Sequence, residues 1–299
     1  ASDVYKRQAV SSTPGIFGSF FGPDPLSLLS VVILTSLGTW GLPQMVQKFY
    51  AIDNEDSIKK GTIISTIFAL VVSGGCYFLG GFGRLFSDKI DIAANGYDSI
   101  IPTMLENLHP LLIALVVILV LSASMSTLSS LVIASSSTLT IDLIKDNIVK
   151  EMSDKKQVFC IRVLIVIFIA ISAIIAIIQY KSAVTFIAQL MGISWGALAG
   201  SFLAPFLYSL YWKKTTKAAC WTSFIFGCII MVLNLVAGSH FPTLLQSPIN
   251  CGAFAMLAGL IIVPVVSLFT KKPDTALIEN TFACYDKTNT VTQKTALGK

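Results

Sequence analysis

The sequence has little charge and few of the side chains that enzymes use for chemistry. Only 12% of its residues are Asp, Glu, Lys or Arg, about half the share of a soluble domain. The two histidines, His109 and His240, lie at the ends of apolar stretches, and no carboxylate lies in the middle of one. Intramembrane catalysis needs such groups clustered at depth. We therefore predict that the chain is not an enzyme, with an intramembrane enzyme as an alternative, and that it has no organic cofactor.

The six cysteines lack the spacing of a metal site or of a disulfide framework. No CxxC pair occurs, and most of the cysteines lie inside apolar stretches. There Cys behaves as a small buried apolar residue. The cysteine pattern therefore excludes a thiolate metal centre and a disulfide-rich secreted fold.

Long apolar stretches dominate what is present. Hydrophobic residues make up 54% of the chain and the mean hydropathy is +0.77. Windows of roughly 20 apolar residues, the length that crosses a bilayer, occur about seven times. They lie near 26–48, 58–82, 110–142, 157–179, 183–211, 217–239 and 249–270. We predict an all-α integral membrane protein with about seven transmembrane helices in one membrane domain at 26–270, an extracellular loop at 1–25, and a polar, disordered tail at 271–299.

The distribution of lysines predicts the orientation. Alternate loops are rich in lysine, and the loops between them are poor in it. The rich loops carry Lys48, Lys59 and Lys60, then Lys145, Lys150, Lys155 and Lys156, then Lys213, Lys214 and Lys217, then Lys271 and Lys272. By the positive-inside rule the chain starts outside and ends in the cytoplasm. The net charge of +5 is thereby explained without a nucleic acid partner, and we expect a multi-pass protein of the plasma (inner) membrane.

The third apolar stretch is unusual because it places hydroxyl groups at membrane depth. They belong to Ser122, Ser124, Ser126, Thr127, Ser129 and Ser130. On a helix Ala123, Ser126 and Thr127 share one face, where a carbonyl and two hydroxyl oxygens converge. Hard neutral oxygens suit a hard monovalent cation such as sodium. The alternative is that these small residues only allow close helix packing. The same stretch ends at Asp142, which we expect to pair with Lys145; the alternative is that it guides the exit of the ion.

The first apolar stretch contains a helix breaker. Pro43 has no amide hydrogen and obstructs the carbonyl of Thr39, and Gly38 and Gly41 weaken the helix on either side. One interpretation is a simple kink. The other is a discontinuous helix whose freed backbone groups bind a substrate at mid-membrane, as in inverted-repeat transporters.

The fifth apolar stretch combines small residues with one polar group. Gly192, Gly196 and Gly200 recur every four residues, which predicts a smooth ridge against a neighbouring helix. Gln189 is a polar group at depth, and we place it in a substrate path. The last two stretches carry few polar residues, and we expect them to be peripheral helices.

Three segments resemble one family in order and spacing, the sodium/solute symporters, which include sodium-coupled proline, pantothenate and glucose carriers. SASMSTLSSLVIASSSTLTIDL resembles the eighth core helix, TWGLPQMVQKFYA the sixth, and APFLYSLYWKKTTKAACWTSFIFG the tenth with its following loop. The resemblance implies a five-plus-five inverted-repeat transporter fold and sodium-coupled symport of a small organic solute by alternating access. A symporter-like sensor module is the other alternative.

The resemblance also implies site residues. The carbonyl of Ala123 and the hydroxyls of Ser126 and Thr127 match sodium ligands, with sodium as the coupling ion. Substrate-side candidates from the broken helix are Thr35, Ser36, Thr39, Trp40, Gly41 and Pro43, to which Gln189 is added. The proline-transporting branch carries aromatics where Thr35 and Thr39 stand here, which disfavours proline, and the Gly-Leu-Pro sequence is closer to the pantothenate-type branch.

The matched helices are core helices six to ten followed by two peripheral helices. We therefore expect this chain to be the C-terminal part of a longer protein whose missing N-terminal helices are its partner. Those helices would supply the other sodium ligands, so we expect the chain alone to hold half an ion site and not to transport.

Overall fold

Helices make up the regular structure of the described chain. The computed structural model describes residues 22, 24–46, 52, 55–89, 97–149, 151–182 and 187–286. The helices are α1 (Pro25–Gly38), α2 (Pro43–Val46), α3 (Glu55–Gly81), α4 (Ile100–Leu105), α5 (Pro110–Thr138), α6 (Asp154–Ser182), α7 (Ile187–Tyr211), α8 (Lys217–Ala237), α9 (Thr243–Gln246), α10 (Pro248–Phe269) and α11 (Thr275–Phe282). Contacts divide the chain into two units, one formed by Ala1–Leu85 with Ile187–Lys299 and the other by Phe86–Phe186.

Six helical segments in the described ranges are long and apolar enough to cross a membrane. They are Asp56–Gly81, Pro110–Ile148, Asp154–Ile178, Gln189–Tyr211, Lys217–His240 and Pro248–Phe269. The all-α membrane class is thus confirmed. The predicted span at 26–48 is instead a shorter apolar helix, Pro25–Gly41, because the chain breaks before Pro43. Residues 47 and 48 of that prediction, most of the predicted 1–25 loop, and residues 287–299 of the tail lie outside the described residues.

The start of α1 is fixed by its sequence. Pro25 occupies the first helical turn, and the carboxylate of Asp24 accepts a hydrogen bond from the Ser27 amide at 3.1 Å. An N-cap of this kind satisfies an amide that has no partner within the helix. Hydrogen bonds from the side chain and the amide of Ser27 hold the pKa of Asp24 below its usual value.

Small residues bring α7, α8 and α10 close together in the first unit. A β carbon on Gly196 would lie 2.7 Å from the α carbon of Gly252, and one on Gly227 would lie 2.6 Å from the carbonyl of Gly200. The predicted ridge of glycines on α7 is therefore a close-packing surface. Its partners are α8 and α10, the two helices expected from the sequence to be peripheral.

The tail contradicts the prediction of disorder as far as Asp286. Residues Thr275–Phe282 form α11, and Ala283–Asp286 form a 3₁₀ turn. The Tyr285 hydroxyl donates to the Leu210 carbonyl at 2.9 Å, and the Lys213 ammonium lies 5.4 Å from the centre of the Phe282 ring. The polar composition predicts a solvated tail. The cation–π interaction and the hydrogen bond instead hold this part of the tail against the end of α7.

The second unit contains the hydroxyl-rich helix α5, which packs against α6. Val132 and Ser136 are its buried residues, and Thr140, just beyond its end, is buried as well. A π-helical segment, Leu139–Ile148, follows α5.

The predicted ion pair between Asp142 and Lys145 is wrong, since these two described residues form none. The Asn147 amide instead donates to the backbone carbonyl of Asp142 at 2.8 Å. A π-helix repeats over five residues, so a residue three positions along does not face the carboxylate.

Candidate ion and solute sites

Two of the three predicted sodium ligands meet on α5. The Thr127 hydroxyl donates to the Ala123 carbonyl, with 3.1 Å between the oxygens. Ser126 lies on the same side of the helix, and all three residues are exposed. The Thr127 and Ala123 oxygens are therefore in contact, as in the common bond of Thr to a carbonyl four residues earlier, and the convergence of all three oxygens on a cation remains a prediction.

The spacing of these oxygens suits a hard cation. Such cations bind oxygen at about 2.3 to 2.6 Å, so two ligands at right angles to each other lie about 3.4 Å apart. The Thr127 oxygen keeps its lone pairs when it donates, and rotation of its hydrogen frees the carbonyl. In the described part of the chain, no group of three or more His, Cys, Asp or Glu residues could hold a metal ion. The neutral oxygens of Ala123, Ser126 and Thr127 therefore remain the donors predicted for a cation in the described part of this unit.

The oxygen-bearing face of α5 points away from the face that α5 buries. An α-helix turns about 100° per residue, so Ser136, nine residues after Thr127, lies on the opposite side. Ser136 is fully buried whereas Thr127 is exposed. Three oxygens do not complete the coordination of a hard cation. Further ligands have to come from groups that cover the exposed face.

The first unit contains the break in the α1 region. Residues Thr39–Gly41 form a 3₁₀ turn, and Leu42 adopts an extended conformation with φ −89° and ψ 114° before α2 begins at Pro43. The 3₁₀ pattern would next pair the Pro43 amide with the Trp40 carbonyl, and Pro43 has no amide hydrogen. The structure therefore shows the discontinuous form of this segment and not a kink within one continuous helix.

The hydroxyls near the break are bonded within their own helix. Thr35 donates to the Val31 carbonyl at 2.8 Å, and Thr39 donates to the Ser36 carbonyl at 3.0 Å. Back-bonding of this kind is common for Ser and Thr in helices. The remaining candidates on this segment that face outward are Ser36, Pro43 and Trp40, whose side chain is 56% exposed.

Gly41 has a packing role that sequence reasoning missed. It is buried, and a β carbon added to it would lie 2.8 Å from the α carbon of Ala199 and 2.9 Å from the β carbon of Leu203. The break therefore rests directly on α7. The resemblance placed Gly41 among the substrate-side candidates. The contact with α7 is another reason for glycine at this position, because a β carbon would not fit there.

Gln189 lies on α7 before the residues that meet the glycines of the break. Gly38 meets Trp195, and Gly41 meets Ala199 and Leu203, whereas Gln189 lies about 9 Å before Trp195 along the helix. Gln189 is half-buried, and no described residue forms a hydrogen bond with its side chain. Its place in a substrate path remains a prediction.

Two asparagines inside apolar stretches were also missed. The Asn234 amide donates to the Leu245 carbonyl at 2.7 Å, and the Asn250 amide donates to the Leu244 carbonyl at 2.9 Å. Both side chains are more than nine-tenths buried. They fix α9 between α8 and α10. The sequence did contain a signal, because each asparagine lies in an otherwise apolar stretch and a buried side-chain amide needs a hydrogen-bond partner.

Comparison with known proteins finds relatives that are sodium:solute symporters or proline transporters. A sequence model of the sodium:solute symporter family matches residues 18–227. The osmoregulated proline transporter OpuE of Bacillus subtilis is 26% identical over 87% of this chain and 51% of its own length. The high-affinity proline transporter PutP of the same organism is 27% identical over 90% of this chain and 55% of its own length. A sodium/proline symporter of Staphylococcus aureus is 28% identical over 83% of this chain and 49% of its own length.

The match extends over most of this chain but not over most of the relatives. The chain spans about half the length of the curated relatives it matches, and no solved structure matches it. The family model alone covers more than half of the chain. It does so across the broken α1 region, the hydroxyl-rich α5 and the glycine ridge of α7, and the chain belongs to the sodium:solute symporter family.

Proposed function

We propose that this chain forms the C-terminal part of a symporter that couples sodium entry to the uptake of a small organic solute across the plasma membrane. The observation that carries the proposal is the match of the sodium:solute symporter family model to residues 18–227, which include the α5 face formed by Ala123, Ser126 and Thr127. Family membership gives the coupling ion. The members of this family are transporters, and no enzymatic step enters the proposal.

The sodium site combines this face with groups from elsewhere in the protein. Ala123, Ser126 and Thr127 supply three oxygens, and helices N-terminal to this chain supply the remaining ligands. The pairing is supported by relatives of which the chain covers only about half. A lone exposed hydroxyl face in hydrocarbon is costly, so protein or a water-filled path covers it.

The solute site uses the break between α1 and α2. The Trp40 carbonyl, which Pro43 cannot pair because it has no amide hydrogen, together with the exposed Ser36 and Trp40 side chains, suits a small polar or zwitterionic solute, because a broken helix leaves backbone groups unpaired. The relatives' names make proline the first solute to test. Pantothenate is the second, because the Gly-Leu-Pro sequence at 41–43 is closer to the pantothenate-type branch.

The proposed cycle is alternating access in a five-plus-five inverted repeat. Sodium at the α5 face stabilises the outward-open form, and rocking of the helices then releases ion and solute inward. One charge moving down the membrane potential supplies about 2.3 kcal/mol per 100 mV, in addition to its concentration gradient. In this arrangement the 1–25 region is extracellular, and the region after α10 is cytoplasmic.

Uptake into proteoliposomes tests the proposal on the full-length transporter. Labelled proline, other amino acids, pantothenate, sugars and carboxylates are supplied with a sodium or a potassium gradient. We expect sodium-dependent uptake of one class, and we expect Ser126→Ala/Thr127→Ala to raise the sodium concentration for half-maximal uptake at least tenfold, which is about 1.4 kcal/mol.

The matched control is Thr66→Ala on α3. The Thr66 hydroxyl also donates to a carbonyl four residues earlier, at 2.7 Å, but its helix carries no predicted ligand. We expect its sodium dependence to match that of the wild type. If the double variant also keeps wild-type sodium dependence, the hydroxyls of α5 serve packing and the ion binds elsewhere.

A further inference from the structure

An apolar groove runs between α7 and α8 on the first unit. Its volume is about 400 Å³, and Ser201, Phe202, Pro205, Lys217, Cys220, Trp221 and Phe224 line it. Lys217 and Phe224 are seven residues apart on α8, so the groove extends for about 10 Å along the helix. It is a slot of two helical turns with a charged residue at one end.

Three aromatic rings form the wall of the groove. Phe202 and Phe224 meet edge to face with 5.2 Å between their centres, and Trp221 meets Phe224 in the same way at 5.7 Å. The Trp221 side chain is 55% exposed. Edge-to-face contacts hold the rings in place, so the groove has fixed walls and an accessible apolar interior.

The end of the groove at Lys217 is positively charged. Lys217 and Lys214 are both exposed, and among the described residues no carboxylate forms an ion pair with either of them. Lys217 is also the first residue of α8, where the Thr216 hydroxyl accepts from the Ala219 amide and the helix dipole favours an anion. An anionic group is therefore favoured at this end and an alkyl chain along the rest.

We propose that this groove binds an anionic phospholipid, with its phosphate at Lys217 and one acyl chain along Phe202, Trp221 and Phe224. The charge at one end and the aromatic slot behind it match the two parts of such a lipid. A basic residue at the membrane surface attracts an anionic lipid, and a Trp ring suits the interface between headgroups and acyl chains. Because Lys213, Lys214 and Lys217 fall in a lysine-rich loop, the lipid belongs to the cytoplasmic leaflet.

Quenching of Trp221 fluorescence by brominated lipids tests the proposal in the full-length transporter. Nanodiscs of dioleoylphosphatidylcholine receive increasing fractions of either dibrominated phosphatidylglycerol or dibrominated phosphatidylcholine. The chain has four tryptophans, so the Trp221 signal is the difference between the wild type and Trp221→Phe. We expect the anionic lipid to reach half-quenching at about one fifth of the mole fraction that the zwitterionic lipid needs.

Two lysine variants distinguish lipid binding in the groove from general attraction of anionic lipid to the positively charged protein. Lys217→Gln removes the charge at the groove and is expected to abolish the preference for the anionic lipid. Lys272→Gln removes an exposed charge outside the groove and is expected to retain it. Equal quenching by the two lipids, or equal loss in both variants, would overturn the proposal. So would the absence of quenching by either lipid, which would mean that protein covers the groove.

Discussion

Gly196 on α7 and Gly252 on α10 face each other so closely that a β carbon on Gly196 would lie 2.7 Å from the α carbon of Gly252. The same hypothetical carbon would lie 2.8 Å from the terminal methyl of Met231 on α8. Three helices thus meet at one point without a side chain between the two glycine backbones. Lipid tails are as apolar as most side chains, so such packing, and not hydrophobic burial, favours association of these helices.

Gly196→Ala should lower the stability of the transporter. The added methyl group cannot fit without separating α7 from α10, and overpacking of this kind costs about 1 to 3 kcal/mol. Thermal unfolding in detergent, followed by fluorescence-detected size exclusion, would show a lower midpoint. Gly74→Ala on α3 is the control, since its added methyl group would meet nothing within 4 Å. A Gly196→Ala protein as stable as that control would contradict this packing.

Gly41→Ala should disturb the break and with it solute uptake. The added methyl group would lie 2.8 Å from the α carbon and 2.9 Å from the β carbon of Ala199, so the segment before Pro43 has to move away from α7. We expect sodium-dependent uptake to fall at least tenfold while the protein remains folded.

The companion variant for Gly41→Ala is Gly41→Ala/Ala199→Gly. Removing the β carbon of residue 199 relieves one of the two contacts on that residue, so part of the lost uptake should return. Additive losses in the double variant would show that Gly41 acts through something other than its contact with Ala199.

Tyr285→Phe should loosen the end of the tail. It removes the hydrogen bond to the Leu210 carbonyl, and one such bond contributes about 1 kcal/mol, or about a fivefold change in the population of the undocked tail. Hydrogen exchange of the α11 amides should become correspondingly faster. Tyr77→Phe, on the exposed surface of α3, should leave that exchange rate unchanged.

Asp24 gives the start of α1 a dependence on pH. Its pKa in the folded protein is below the ordinary value of 3.8, so the stabilising cap is fully present above 3.8 and is lost as pH falls through the lowered value. Asp24→Ala should therefore unfold at a lower temperature than the wild type at neutral pH, and this difference should shrink in strong acid. Asp24→Asn, which can cap without titrating, should show no such change with pH.

Local chemistry predicted the break and the glycine ridge, because both depend on single residues. Pro43 cannot donate a hydrogen bond in any environment, and Gly192, Gly196 and Gly200 leave a bare surface wherever their helix packs. Contacts between distant segments were not predictable. The Tyr285 hydroxyl donates to the carbonyl of Leu210, 75 residues away. The Asp142 carboxylate does not pair with Lys145, because the helix has a π repeat in that segment.

The extended backbone at Leu42 has a consequence for genetic mapping of the solute site. Truncating a side chain to alanine leaves the backbone peptide groups in place. An alanine scan through Thr39–Leu42 would therefore not detect a peptide group that binds the proposed solute. Replacing one amide with an ester, which changes the main chain and leaves the side chain intact, would reveal a contribution that conventional mutagenesis misses.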